Sequence, residues 1–177
     1  PVAPTVARQY FNFREDDLLR VSIGDGRRFI ERTRDRYDLV FLDAYGEDNI
    51  PMALATREFL ALVRRIIKPD GAVVANLWSS DSNRLYAAMV RTYADVFPEV
   101  HVLRVADRSN RIVLALPRER GFTREDLARR ASPLRGSGLA ELKLPGLIRS
   151  GYIAEPEISP DAEILRDPSP ASAPAAR

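Results

Sequence analysis

Residues 37–51 read YDLVFLDAYGEDNIP and decide the fold. Residues 37–42 form a near-continuous apolar run that ends at Asp43. Such a run is typical of a strand that is buried on both faces of a parallel sheet. We therefore predict a strand over residues 37–42, followed by a loop that is rich in glycine and acidic residues.

The segments that follow alternate between helical and strand periodicity. Residues 56–67 place apolar side chains at the i, i+3, i+4, i+7 spacing of a helix with one buried face, with Thr56 as its N-cap. Residues 68–71 (KPDG) predict a turn that stops this helix. Residues 72–77 (AVVANL) predict a second buried strand, and residues 82–96 predict a second amphipathic helix.

Two more strands are predicted over residues 100–105 and 112–116, joined by a turn at residues 107–110. This connection is too short for a helical crossover, so the pair should be antiparallel. Elsewhere, strands that alternate with helices favour right-handed crossovers and parallel pairing. We predict an α/β fold with a doubly wound, Rossmann-like sheet of the class I methyltransferase type. It should be mostly parallel, with an antiparallel pair at one edge.

The segment before residue 37 carries the same alternation. Residues 3–11 predict the end of a helix, and residues 27–34 predict a short helix. Between them, residues 19–23 (LRVSI) alternate apolar and polar side chains as a strand does, and stop at Gly24-Asp25-Gly26. Asp25 and Asp43 therefore both follow strands, and ligands of open α/β sheets bind beyond the carboxyl ends of strands.

Composition excludes several function classes. The chain has 27 basic and 25 acidic residues without a basic stripe, which argues against nucleic-acid binding. It has no cysteine and one histidine, His101, so neither a disulfide nor a multi-histidine metal site is expected. The apolar runs are strand-sized and no secretory signal is visible, so we expect no membrane contact and a cytoplasmic location.

Asp25 has two interpretations. The glycines on either side permit close backbone approach, and the carboxylate is suited to accept a hydrogen bond from the exocyclic amine of an adenine. Alternatively, Asp25 caps the helix that begins at Gly26. Residue type alone favours the capping role by about two to one.

Asp43 also has two interpretations. An acid at the end of the most apolar strand should be partly desolvated, which raises its proton affinity. It would then be suited to act as a general base toward an amine nucleophile. Alternatively, it only organises the turn that follows.

The loop after Asp43 suggests a binding site for a cationic substrate. Glu47 and Asp48 add two carboxylates near the same crevice, which would attract a cation, although solvated loop acids are the more ordinary interpretation of each. Tyr45 and Trp78 follow strand ends and are placed to flank an adenine or an alkyl chain. The alternative for these two aromatic side chains is packing at the edge of the core.

Taken together, these segments resemble the spermidine synthase (polyamine aminopropyltransferase) family. The resemblance is carried by RVSIGDGRRFI (20–30), YDLVFLDAYGEDNIP (37–51) and TREFLALVRRIIKPDGAVVANL (56–77), and more weakly by ILRDPSP (164–170). It covers roughly residues 1–117. The order and spacing of several segments make it more specific than any one motif.

The resemblance implies roles for particular residues. Asp25, Gly26, Asp43 and Ala44 would contact decarboxylated S-adenosylmethionine, or S-adenosylmethionine itself, with no metal. Asp43 would be the catalytic aspartate that accepts a proton from a polyamine such as putrescine. The family's loop has a second aspartate at the position where this chain has Gly46.

The resemblance also implies a preceding segment. The family's fold begins with a strand, a glycine-rich loop, a helix and a second strand, and no such segment is present here, so we expect a domain incomplete at its N-terminus. We predict that residues 1–117 form the α/β part, that residues 118–167 form an extension with a helix at 123–131, and that residues 168–177 are disordered.

Three functions remain open on these grounds. The first is aminopropyl transfer to a small amine, by a protein that the resemblance suggests is a homo-oligomer. The second is methyl transfer from S-adenosylmethionine, which needs no diamine site and so fits Gly46. The third is a non-catalytic interaction module, because uncovered sheet faces and edges invite association.

Overall fold

The computed structural model describes residues 2–45, 50–132, 142–154 and 159–169. The chain divides into two compact units, Pro1–Thr33 and Arg34–Arg177, and each is described by itself.

The first unit contains two helices, α1 (Val2–Tyr10) and α2 (Gly26–Arg32), as predicted. The predicted strand over residues 19–23 is wrong, because these residues form no regular element. A strand exists only through its hydrogen-bonded neighbours, and an alternating sequence does not supply them. Its apolar side chains Leu19, Val21 and Ile23 are exposed.

The second unit is built on a five-stranded sheet. Its strands are β1 (Tyr37–Leu42), β2 (Ile67–Trp78), β3 (Glu99–Arg104), β4 (Asn110–Leu116) and β5 (Tyr152–Ile153). The spatial order is β1-β2-β4-β3-β5. β1 and β2 are parallel, while β2–β4, β3–β4 and β3–β5 are antiparallel.

The predicted α/β class and the predicted antiparallel pair are confirmed, but the described sheet is mixed rather than mostly parallel. The hairpin places β4 between β2 and β3, which makes both of its pairings antiparallel. The short strand β5, which we did not predict, adds a third antiparallel pairing. The remaining elements are a 3-10 turn (Met52–Leu54) and the helices α3 (Arg57–Ile66), α4 (Tyr86–Val96), α5 (Arg124–Arg130) and α6 (Leu144–Gly151).

Helix α3 buries the predicted face, which includes Phe59, Leu60, Val63 and Ile66. The hydroxyl of Thr56 caps it by accepting a hydrogen bond from the backbone N–H of Phe59 at 3.3 Å. Apolar burial of this kind is worth about 1.5–3 kcal/mol for each large side chain. The face therefore anchors the helix to the sheet beside β2.

Residues 68–71 do not form the separate turn that we predicted. β2 begins at Ile67, directly after α3, and its pairing with β1 jumps from Tyr37–Ile67 to Leu39–Ala72. The extra residues form an irregularity in the strand. A Cβ on Gly71 would lie 2.6 Å from the backbone oxygen of Asp38, so only glycine fits this close approach without a shift.

Helix α4 begins at Tyr86, four residues later than predicted. The backbone oxygen of Ser79 accepts hydrogen bonds from the N–H groups of Ser82 and Asn83, at 2.9 and 2.8 Å. These bonds close tight turns between β2 and the helix. The polar cluster at residues 79–83 is therefore a turn rather than the first turn of a helix.

The C-terminal stretch at residues 164–169 is attached to α3 and α4. Leu165 is buried, its backbone oxygen accepts from Arg57 N at 2.8 Å, and its N–H donates to Thr92 Oγ1 at 3.0 Å. Asp167 accepts a hydrogen bond from Thr56 Oγ1 at 2.8 Å. The predicted disordered tail falls mostly on residues 170–177, which lie outside the described residues. The predicted boundaries at residues 117 and 167 stay predictions.

Candidate active site at the ends of β1 and β2

Asp43 immediately follows β1, as predicted, and its carboxylate is exposed. The partial desolvation that we expected is therefore absent from the described chain. One carboxylate oxygen, Oδ1, accepts a hydrogen bond from Nδ2 of Asn76 at 3.1 Å. Asn76 belongs to β2, which pairs with β1 in parallel, so both side chains lie at the carboxyl ends of their strands.

Asn76 is itself held by a second amide. Asn110, the first residue of β4, donates a hydrogen bond from Nδ2 to Oδ1 of Asn76 at 2.8 Å. The antiparallel register aligns Asn110 with Trp78, two residues beyond Asn76 on β2. A chain of hydrogen bonds therefore runs from β4 through β2 to the carboxylate after β1.

Tyr45 completes this cluster. Its hydroxyl donates to the backbone oxygen of Asn76 at 2.6 Å, and its ring stacks on Trp78 with centroids 5.1 Å apart and an interplanar angle of 23°. Partial burial raises the pKa of the Tyr45 hydroxyl above its ordinary value, and the negative charge of Asp43 adds to the rise. Tyr45 thus stays a hydrogen-bond donor at neutral pH.

Ala44, the predicted cofactor contact, lines a small cavity together with Leu54, Ala75 and Met89. This cavity has a volume of about 30 Å³. Sites for small-molecule ligands usually measure about 300–1,000 Å³. The cavity is therefore a gap in the packing at the end of β1, and cofactor contact by Ala44 stays a prediction.

Asp25 and Gly26 lie in the first unit. Asp25 is the N-cap of α2, because its Oδ1 accepts a hydrogen bond from the backbone N–H of Arg28 at 2.8 Å. The same residues line an open cavity of about 800 Å³, together with Gly24 and Phe29. That volume suits a ligand of nucleoside size. Capping is thus observed, and ligand binding stays a prediction.

Three sequence-based expectations remain, which concern the acidic residues of the loop, a metal site and a membrane-spanning helix. Glu47 and Asp48 lie outside the described residues. Within residues 2–45, 50–132, 142–154 and 159–169, no group of three or more His, Asp or Glu side chains could hold a metal ion. In those same ranges, no helix has the length and apolar character needed to cross a membrane.

Sequence reasoning missed Asn76 and Asn110. Asn76 has a recognisable signal, because it is the polar residue in the otherwise apolar run AVVANLW of β2. A polar side chain at that position needs a partner. Asn110 has a weaker signal, because asparagine is common in turns, and only the register of β4 brings it beside β2.

Residues 4–106 match the family model described as the spermine/spermidine synthase domain, which is more than half of the chain. The chain belongs to this family. The resemblance predicted from the sequence is therefore confirmed.

An individual relative agrees with this assignment. A polyamine aminopropyltransferase of Vibrio vulnificus is 35% identical over 120 residues, which cover 66% of this chain and 40% of the relative. The chain thus spans less than half of that relative's length.

Two solved structures share the fold. Human methyltransferase-like protein 13, in complex with SAH, aligns with a TM-score of 0.69 and 26% identity, over 81% of this chain and 67% of that one. A probable spermidine synthase of Corynebacterium glutamicum aligns with a TM-score of 0.66 and 19% identity, over 94% of this chain and 60% of that one. The predicted Rossmann-like fold of the class I methyltransferase type is confirmed.

Proposed function

We propose that this chain carries the acceptor side of an aminopropyltransferase site. The reaction would move an aminopropyl group from decarboxylated S-adenosylmethionine to a polyamine such as putrescine, in the cytoplasm. The observation that carries the proposal is the exposed Asp43 carboxylate, held by Asn76 at the strand ends of a spermidine synthase family member. An exposed carboxylate at this edge is accessible to an incoming amine.

The chemistry assigned to Asp43 is general-base catalysis. The amine nitrogen attacks the aminopropyl carbon that is bonded to the sulfonium, and a new C–N bond forms. The C–S bond breaks, its electron pair stays on sulfur, and methylthioadenosine leaves. The nitrogen gives up a proton to Asp43, which is suited to accept it because a carboxylate is charged near neutral pH.

Residues near Asp43 in the second unit would orient the acceptor amine. The Tyr45–Trp78 stack offers an apolar surface beside Asp43 for a methylene chain. Glu47 and Asp48 follow in the sequence, and their negative charge would attract the far ammonium group of a diamine. Asp25 and Gly26 would contact the adenine end of the donor, since they line the open cavity of the first unit.

Methyl transfer is the second candidate. The specific observation in its favour is the similarity to human methyltransferase-like protein 13, whose structure contains SAH. Gly46 also fits this candidate, because a methyltransferase requires no second acid for a diamine. The two reactions share the fold and differ in which carbon on sulfur is attacked.

Product analysis separates the two candidates. The full-length gene product is incubated with putrescine and either decarboxylated S-adenosylmethionine or S-adenosylmethionine, and products are identified by mass spectrometry. We expect spermidine and methylthioadenosine from the first donor. A methylated product with SAH from the second donor alone would replace the proposal by the methyltransferase. Absence of product with both donors would favour the non-catalytic module.

A further inference from the structure

The orientation of the Asn76 side-chain amide is set by its neighbours. An asparagine side chain has a donor end, Nδ2, and an acceptor end, Oδ1. Asn76 directs Nδ2 to Asp43 at 3.1 Å and receives the Nδ2 group of Asn110 on its Oδ1 at 2.8 Å. Both ends are therefore engaged, and each by a partner of matching polarity.

Two hydrogen bonds hold the backbone of Asn110 in place. Its backbone oxygen accepts from the N–H of Val105 at 3.2 Å and from Nη1 of Arg111 at 3.2 Å, where the hairpin of β3 and β4 closes. Rotation of the Asn76 amide would place its NH₂ group against the NH₂ group of Asn110, and its oxygen against the Asp43 carboxylate. Both contacts would be repulsive, so Asn110 and the acceptor-only carboxylate of Asp43 together favour the observed orientation.

We propose that Asn76 and Asn110 are positioning residues for Asp43, with Asn110 acting through Asn76. Asp43 is exposed, and a carboxylate at such a position rotates freely unless one oxygen is held. The Asn76 bond holds Oδ1, and among the described residues none donates to Oδ2, which is therefore left to accept the proton of the acceptor amine. This inference rests on the proposed function, in which Asp43 is the base.

The decisive variant is Asn110→Asp. Its side chain can only accept when ionised, so Asn76 must turn its NH₂ group toward residue 110 and present its oxygen to Asp43. Ser109→Asp is the matched control. It adds the same charge at the exposed neighbouring residue, just before β4, without replacing the donor to Asn76. Asn110→Ala removes the donor without adding a charge.

The first readout is independent of activity. In the 177-residue chain, the side-chain NH₂ signals of Asn76 are recorded by NMR at neutral pH. We expect Asp43→Asn to shift these signals when it is introduced into the native chain or into Ser109→Asp, and to leave them unchanged when it is introduced into Asn110→Asp. Asn76 signals that Asp43→Asn does not shift in the native chain would overturn the inference, even if Asn110→Asp does not fold.

The second readout is kinetic. Asn110→Asp should lower kcat about tenfold and change KM less than about twofold, because Asn76 then presents its oxygen instead of its NH₂ group to Asp43. Ser109→Asp should change kcat less than about twofold. Equal effects of the two variants would overturn the inference. An Asp43→Asn variant with the native rate would instead refute the proposed role of Asp43 as the base. It would leave the NMR evidence for the hydrogen-bonded positions of Asn76 and Asn110 unaffected.

Discussion

Asp25 caps helix α2 through its contact with Arg28, whose backbone N–H donates to the Asp25 carboxylate at 2.8 Å. This bond uses Oδ1, and within the described chain Oδ2 accepts none. Capping and ligand binding, the two interpretations that the sequence left open, therefore do not exclude one another. Replacing Asp25 by residues that keep only one of these abilities separates them.

The prediction for Asp25 compares Asp25→Ala with Asp25→Ser. Alanine removes the cap and the carboxylate, and should destabilise α2 by about 1 kcal/mol, whereas serine keeps a capping oxygen and should be nearly neutral. If the carboxylate also binds adenine, both variants weaken methylthioadenosine binding, as measured by calorimetry on the full-length gene product. Native affinity in Asp25→Ser would restrict Asp25 to capping.

The prediction for the C-terminal stretch concerns Leu165, whose side chain is 5% exposed. Leu165→Ala should lower the free energy of unfolding by about 2–5 kcal/mol, because it leaves a cavity against α3 and α4. Urea denaturation provides the measurement. The exposed neighbour Glu163 supplies the control, since Glu163→Ala should change stability by less than about 0.5 kcal/mol. Equal effects would mean that this stretch does not pack as described.

Elements with a strong periodic signal were predictable. The apolar run 37–42 became β1 with the predicted bounds, and the face and N-cap of α3 followed from spacing alone. The short connection between β3 and β4 correctly predicted an antiparallel pair. These features depend on local residue order, which the sequence states directly.

Elements that depend on distant partners were not predictable. Residues 19–23 alternate like a strand but form no regular element. Helix α6 contains Pro and Gly residues, which are more typical of a loop. The same reason applies at the site. Asp43 was found from its position after an apolar run, whereas Asn110 reaches Asn76 only through the register between β4 and β2.

A pH prediction follows from Glu99, a buried carboxylate of β3. Burial alone would raise its pKa, but hydrogen bonds from the backbone N–H groups of Arg120, Gly121 and Phe122 and from the ring of His101 outweigh burial and hold the pKa below its ordinary value. A lowered pKa means that the charged form stabilises the fold. This stabilisation is complete above the unfolded pKa of about 4.3 and is lost as the pH falls through the folded pKa.

Glu99→Gln tests this prediction. At pH 7 the variant should lose about 1–3 kcal/mol of unfolding free energy, because one charged oxygen becomes a neutral acceptor and the other becomes an NH₂ group that faces N–H donors. The difference from the native chain should shrink as the pH falls below about 4. Glu119→Gln, at an exposed position, should show no such pH dependence. A Glu99→Gln deficit that is constant from pH 7 to pH 3 would contradict the assignment.

A second titration examines how the charge of Asp43 affects the pKa of Tyr45. Burial and the Asp43 charge both raise the pKa of Tyr45. Asp43→Asn removes the charge and leaves the burial, so the pKa of Tyr45 should fall relative to the native chain and stay above about 10. The ring carbon shifts of Tyr45, followed by NMR against pH, give the value. Asp38→Asn, a variant of an exposed aspartate on β1, should leave it unchanged.

The most direct test of the central claim is the rate of aminopropyl transfer by Asp43→Asn in the full-length gene product. Asparagine keeps the size of the side chain but accepts no proton, so kcat should fall by about 10²–10⁴-fold, with little change in KM for either substrate. Asp38→Asn should retain the native rate. Spermidine formation by Asp43→Asn at the rate of the native enzyme would contradict the account.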